Sequence, residues 1–362
     1  VDVGLDMRHA WAEELVVAPS GGVDEFERKL ARNDYPVLAM WEIGMRRMRV
    51  PLQDLLDAKT RRRMQIMQGA GHLFQVHSYG IPSQDACQLL ADHADLVYRL
   101  EIVINWEKAA ERIAEIAALK KQTGLPIYLS RVNRKHTAKH TGGRYNHLIS
   151  HGFVLEEADE LAAFFEAHEQ AAAIDGVMFN VMRDQHPATA AVIAAEVAAR
   201  LGRTACLFIK STSGSPWEAF EDEAANVNRF AETVVVGVGV EGVETYLDTF
   251  DDIDRSYFAR TGLVDRRFNP KLGSHVVGNL FGLLNAGVWT LQGDAVEAAG
   301  ARVLMLMSDA GELALVLPPE DGVTAEAALG GRTASAAIDL SSGEITDDMP
   351  AAITAPTALR LT

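Results

Sequence analysis

From residue 1 to about residue 284, short β-branched runs alternate with longer stretches of helical periodicity, the pattern of repeated βα units around a parallel sheet. Eight runs read as strands: Val3–Arg8, Val37–Ile43, Leu73–Ser78, Leu96–Val103, Ile127–Asn133, Val177–Arg183, Ala205–Ser211 and Val234–Val240. Helical stretches follow most of them, at Asp24–Arg32, Leu52–Gln68, Gln84–His93, Trp106–Thr123, Glu156–Ala172, Ala188–Leu201, Trp217–Ala231 and Lys271–Leu284. Gly69, Gly124 and Gly202 stand where three of these helices need a left-handed residue to close. Eight βα units in about 285 residues is the size of a TIM barrel, so a (β/α)8 barrel is the expected architecture. No Gly-x-Gly-x-x-Gly follows the first strand, which leaves a dinucleotide-binding sheet without its signature. Thr245–Phe250 also reads as extended. Were it the eighth barrel strand, Val3–Arg8 would be a lead-in and every strand number would fall by one.

After Gly287 the pattern changes. Val288–Gln292, Arg302–Met307, Leu313–Leu317, Ser335–Leu340 and Leu359–Leu361 read as short strands between Gly, Asp and Ser turns, with one short helix near Thr324–Leu329. The expected division is a barrel domain over 1–286 and a small β-sandwich-like domain over 287–362. About 75 residues make a thin core, so this part is expected to lean on the barrel or on strands from a segment before Val1.

Alternation within the barrel strands carries the functional signal. In a barrel one strand face meets the helices and the other fills the interior. Arg99 and Glu101 share one face while Leu96, Tyr98, Leu100 and Ile102 share the other; Asp6 and Arg8 alternate with Leu5 and Met7, Gln75 and His77 with Phe74 and Val76, Arg131 and Asn133 with Val132. Glu42, Asn180 and Lys210 end otherwise apolar faces. Such a set is expected to point inward near the carboxyl ends of the strands, where barrels build their sites. Burying that many ionisable groups costs several kcal/mol per unpaired ion, so a binding site for a polar ligand explains them better than packing. Glu42 and Glu101 are the candidate carboxylates for acid/base work. Lys210 could stay charged and stabilise an oxyanion, or form a Schiff base if desolvated. His77 is a candidate proton carrier. Asp6, Arg8, Arg99, Arg131, Asn133 and Asn180 would bind substrate, and Trp217 could stack on a sugar ring.

His136, His140, His147 and His151 fall in a Lys- and Gly-rich stretch expected to form a basic lid over the barrel mouth. His147 and His151 lack the Glu of a His-Glu-x-x-His zinc site, so no metal and no cofactor are expected. Lys210–Pro216 is hydroxyl- and glycine-rich before a helix but lacks the P-loop order. With 50 acidic against 34 basic residues and a net charge of −16, the chain would repel a phosphate backbone, which argues against nucleic acid. Cys87 and Cys206 fit no metal or redox spacing and read as buried thiols. No apolar run is long enough to span a bilayer and no secretion signal opens the chain, so a cytoplasmic protein without membrane partner that could form a homo-oligomer is expected.

The stretch Tyr257–Lys271, YFARTGLVDRRFNPK, resembles the segment before the final barrel helix of clan A glycosidases, and Ala337–Ile345, AIDLSSGEI, resembles a hairpin of their appended β domains. A narrower resemblance is to the D-apionate lactonase group. The resemblance implies a hydrolase acting on a sugar or sugar acid. It also implies Asn-Glu at strand four and a nucleophilic Glu at strand seven, where this chain carries Leu100-Glu101 and Lys210. Lactone opening is therefore expected ahead of glycoside cleavage, with a carbon–carbon lyase or isomerase using Lys210, or a non-catalytic sugar-binding barrel, as alternatives.

Overall fold

The structure is a computed structural model that describes residues 3–7, 11–12, 14–17, 29–133, 150–211, 223–252 and 260–362. Eight parallel strands close into a barrel: β1 (Val3–Asp6), β2 (Arg47–Pro51), β3 (Leu73–Tyr79), β4 (Val97–Ile104), β5 (Ile127–Asn133), β6 (Gly176–Val181), β7 (Thr204–Ile209) and β8 (Val243–Leu247). Each pairs with its sequence neighbours, and β8 pairs with β1 to complete the ring. Outside it run α1 (Tyr35–Ile43), α2 (Leu52–Leu56), α3 (Ala58–Gly69), α4 (Gln84–Asp92), α5 (Ala109–Thr123), α6 (Ala158–Ala167), α7 (Pro187–Leu201), α8 (Glu223–Gly239) and α9 (Leu272–Leu284).

Two expected strands are helices. Val37–Ile43 lies in α1, whose buried residues Pro36, Ala39, Met40 and Ile43 follow a helical period, with proline in the first turn and Gly44 closing the helix at φ 87°. The second strand is instead Arg47–Pro51, where Arg47 and Arg49 alternate with Met48 and Val50. Val234–Val240 falls largely within α8, a helix buried on nearly all sides because it is wedged between the barrel, α9 and the C-terminal sheet. The eighth strand is Val243–Leu247, and Val3–Asp6 is a true barrel strand, so no numbering shift is needed. Within the expected helix Asp24–Arg32, Lys29–Arg32 is a strand paired with Glu14–Val17.

After the barrel comes one antiparallel sheet: β9 (Thr290–Leu291), β10 (Val296–Ala298), β11 (Ala301–Ser308), β12 (Gly311–Leu317), β13 (Ala334–Asp339), β14 (Ile345–Thr346) and β15 (Thr357–Leu361). Leu304, Leu306, Leu313, Leu315 and Leu317 face the barrel helices and join their core. Val303, Ala314, Val316 and Leu359 face the other way, beneath α10 (Ala325–Leu329). The described residues thus form a single sheet between barrel and helix rather than two sheets packed as a sandwich. Asn228 of α8 and Asn279 of α9 donate to the carbonyls of Pro318 and Leu340, tying the sheet to the barrel, each at 2.9 Å.

Candidate active site

The barrel interior holds two polar layers. In the lower one Arg99 pairs with Glu244, lies 4.3 Å from the Tyr128 ring and donates to the Tyr98 hydroxyl at 2.6 Å. The Tyr246 hydroxyl bonds to that of Tyr98, and Arg47 reaches Glu244 at 3.3 Å. Room for the aromatic rings comes from missing side chains: a Cβ on Gly176 would stand 2.6 Å from the Tyr128 ring. Arg99 is inward, as its alternation predicts, but its partner is Glu244 rather than Glu42 or Glu101, and it sits a layer below the mouth.

The upper layer centres on Arg49, a residue the strand assignment from sequence passed over. Its guanidinium is fully buried and bonded on every side. Nε and Nη2 donate to the two oxygens of Glu101 at 2.6 and 3.0 Å, Nη1 donates to Asp6 at 2.7 Å, and Nη2 donates to Nδ1 of His151 at 2.9 Å. Gln75 adds a donor to Glu101 at 2.9 Å. Burial alone would push the Glu101 carboxyl up, but the adjacent Arg49 charge outweighs it and holds the group well below the usual carboxylate range. Glu101 is therefore a fixed negative charge with both oxygens engaged.

His151 reaches this layer by a local splaying of the barrel. β5 and β6 pair only at Tyr128–Gly176 and Leu129–Val177. Above that point Ser150–Phe153 fills the gap: Val132 pairs with His151, Phe153 N–H donates to Met178 and Asn180 N–H donates to Phe153. Gly152 makes this approach possible, with φ 108° and its would-be Cβ 2.8 Å from the Asn180 nitrogen. The His151 ring stacks near Phe208 at 5.3 Å and near His77 at 5.8 Å. Burial and the Arg49 charge push His77 down to about 3 and His151 to about 4, so both imidazoles are neutral at physiological pH. With Nδ1 accepting from Arg49, neutral His151 carries its proton on Nε2.

Lys210 closes the layer on the far side. It follows β7 on the same face as Cys206 and Phe208, with Nζ 4.1 Å from the Phe208 ring centre and 3.8 Å from Oδ2 of Asp248. Asp248, one residue past β8, also accepts the Ser211 N–H at 2.9 Å and the Thr249 hydroxyl at 3.1 Å. A line of contacts thus crosses the chamber from Asp6 through Arg49, His151 and Phe208 to Lys210 and Asp248. Asn180, buried on β6, shares the inward face with Met178.

Other expected site residues lie elsewhere. Glu42 is exposed on α1, outside the barrel, because its segment is helical. Arg131 has the opposite phase to that expected: Tyr128 and Ser130 turn inward, and Arg131 points out to Glu157 at 2.8 Å. Pairing sets that phase, since Glu101 and Val103 stand opposite Tyr128 and Ser130. Arg8, Trp217, the Asn133 side chain and His136, His140 and His147 lie outside the described residues, as does most of the expected basic lid. Cys87 and Cys206 are buried free thiols, and burial pushes Cys206 up. Among the described residues no three His, Cys, Asp or Glu side chains are grouped to hold a metal ion, and no helix is long and apolar enough to cross a membrane.

These features define a closed (β/α)8 barrel with an ionised cluster at its carboxyl-terminal mouth and an antiparallel sheet docked on its side. No family model matches the sequence, and no curated protein matches it. Among solved structures the chain is similar to a glucosidase from Croceicoccus marinus, with 11% identity and TM-score 0.48 over 77% of this chain and 69% of that one. It is similar to a calcium-binding mutant of β-glucuronidase 2 from Bacteroides uniformis, with 10% identity and TM-score 0.47 over 86% of this chain but only 39% of the other's length. A family 5 xyloglucanase from Paenibacillus pabuli in complex with ligand aligns with 8% identity and TM-score 0.41, over 78% of this chain and 98% of that one. At these values the matches assign neither a residue nor an activity to this chain.

Proposed function

We propose that the barrel mouth hydrolyses a sugar or sugar-acid derivative, and that the bond opened is a lactone ester. The observation that carries this reading is the composition of the upper layer: imidazoles, an ammonium and a carboxylate from separate segments meet there around Phe208. Glycoside cleavage needs a carboxyl with a raised pKa to protonate the leaving oxygen. Glu101 is displaced the other way, which favours a reaction driven by an activated water and an oxyanion stabiliser.

In this reading Lys210 Nζ stabilises the developing oxyanion, and Asp248 takes the proton from the attacking water and returns it to the ring oxygen as the acyl C–O bond breaks. Asn180, His77 and His151 orient the ring hydroxyls. Glu101, Asp6 and Arg49 set the field beneath the substrate. Proton transfer thereby moves from Glu101, both of whose oxygens are bonded to Arg49, to Asp248, whose Oδ2 faces the Lys210 ammonium.

The test is acid release in a pH-stat from a panel of aldonolactones beside a panel of aryl glycosides. Lactone opening is expected, with Lys210→Met and Asp248→Asn each lowering kcat by about 10²–10³-fold. Turnover of aryl glycosides alone, or full lactone turnover in Lys210→Met, overturns the reading. A Schiff-base lyase is the second reading, favoured by the burial of Lys210. Borohydride trapping of a carbonyl substrate on Lys210 separates the two.

A further inference from the structure

We infer that α8 is the element that positions Lys210, through Arg229 and the Arg183–Asn226 pair. The inference rests on the proposed role of Lys210. Lys210 and Ser211 stand where β7 leaves the barrel, and no ladder partner is described beyond Ile209. The Lys210 N–H donates to the Val181 carbonyl at 2.9 Å, and side chains hold the rest of this dipeptide. Nε of Arg229 donates to the Lys210 carbonyl at 2.8 Å. The same guanidinium donates to the carbonyls of Gln185 at 2.6 Å, Met182 at 2.8 Å and Val181 at 3.3 Å, so it joins the ends of β6 and β7. On the other side of the dipeptide Arg183 donates to the Ser211 carbonyl and, at 3.1 Å, to Oδ1 of Asn226. The Ser211 N–H goes to Asp248. The Lys210 carbonyl, the Ser211 carbonyl and the Ser211 N–H are therefore held by Arg229, by Arg183 bridged to α8, and by the carboxylate that faces the Lys210 ammonium.

Arg229 is an unusual choice for packing alone. Its acceptors among the described residues are four backbone carbonyls, and burial pushes it down to about 10 against the pull of Glu232, Asp248 and Asp184. A planar fork with five donors can serve four carbonyls at once, whereas a lysine in its place serves fewer and in no fixed plane. α8 itself is buried among the barrel, α9 and the C-terminal sheet. Arg229 touches no substrate in this account; it is a positioning residue.

The experiment compares Arg229→Lys and Asn226→Ala with the parent chain by lactone kinetics and by ¹³C NMR of reductively methylated lysines, with Lys210 assigned from Lys210→Arg. In each variant kcat is expected to fall about 10- to 100-fold with KM changed less than about two-fold, as for a misplaced catalytic group. The Lys210 resonance is expected to shift or broaden while the other lysines hold. An unchanged Lys210 resonance in a variant that still unfolds cooperatively overturns the inference, as does a loss confined to KM. Should Arg229→Lys lose its unfolding transition, Asn226→Ala decides alone, since it removes the Asn226 acceptor from Arg183 and leaves Arg229 in place. A chain that opens no lactone but shows the Lys210 shift removes the functional reading and leaves the clamp standing.

Discussion

At the residue scale the molecule is built around Arg49. Two carboxylates and an imidazole share one fully buried guanidinium, and such a group is far costlier to break than to keep. Arg49→Met is expected to lose about 3–5 kcal/mol in urea unfolding, because it strands Asp6 and Glu101. Adding Glu101→Gln to that variant should recover part of the loss; a double variant as unstable as the sum of the singles would contradict this. Acid sensitivity follows from the same layer and from His72, fully buried with no hydrogen-bond partner for either ring nitrogen among the described residues. His72 and His151, pushed down to about 4, and His77, pushed to about 3, stay neutral in the fold where an unfolded imidazole, near 6.5, takes up a proton. The unfolded chain then binds more protons, so stability falls as pH drops below 6.5. Glu101 continues the decline below 4.5, losing its contribution as pH approaches its depressed folded pKa. His72→Leu should raise stability by about 1–3 kcal/mol at neutral pH and flatten the decline between about pH 7 and 5. Urea midpoints that fall as steeply in His72→Leu as in the parent would refute it. Asp6, His77, Glu101, Asn180 and Lys210 could be found from sequence because each alternates with apolar neighbours on a correctly read strand. Arg49 and Asp248 stand on or beside strands that were misread, and His151 arrives through a two-residue strand too short for any periodicity.

Elements were misread where burial hides period. Val234–Val236 sit in a helix with no exposed face, so β-branched residues there reflect the space between packed elements rather than a strand. In α1 the exposed Tyr35, Leu38 and Trp41 mask the buried stripe at Pro36, Ala39, Met40 and Ile43, and the run reads as uniformly apolar. Phase on β5 was beyond sequence for a different reason: Arg131 looks inward only if Ser130 and Tyr128 are taken as outward, and nothing short of the pairing with β4 fixes that choice. The lower layer depends on similarly unadvertised glycines. Gly176→Ala drives a methyl into the Tyr128 ring and is expected to cost about 1–3 kcal/mol. The cost should shrink in a Tyr128→Leu background; equal costs in both backgrounds would show that the ring contact is not its source.

Across the whole molecule the C-terminal sheet behaves as a wall of the barrel's outer core. Strand content after Gly287 was readable from the spacing of apolar runs and turns, but its dependence on the barrel was not, because both sheet faces carry apolar residues and only packing says which one meets α8 and α9. Leu304, Leu306, Leu313, Leu315 and Leu317 face them, each at most 3% exposed. At about 2 kcal/mol per buried leucine, these five contribute on the order of 10 kcal/mol as an upper estimate, comparable to the net stability of a whole domain. Polar ties reinforce the joint: Glu232 of α8 accepts the Ala188 N–H at the start of α7 and the guanidinium of Arg302 on β11, both at 2.9 Å. The barrel helix that carries Arg229 is thus held from behind by the sheet. Unfolding should be a single cooperative event, with amides of β11 and β12 and amides of β6 and β7 losing hydrogen-exchange protection at the same urea concentration. A chain ending at residue 286 should lose the cooperative transition altogether. Sheet amides that exchange freely while the barrel strands stay protected would show instead that the barrel holds α8 without help.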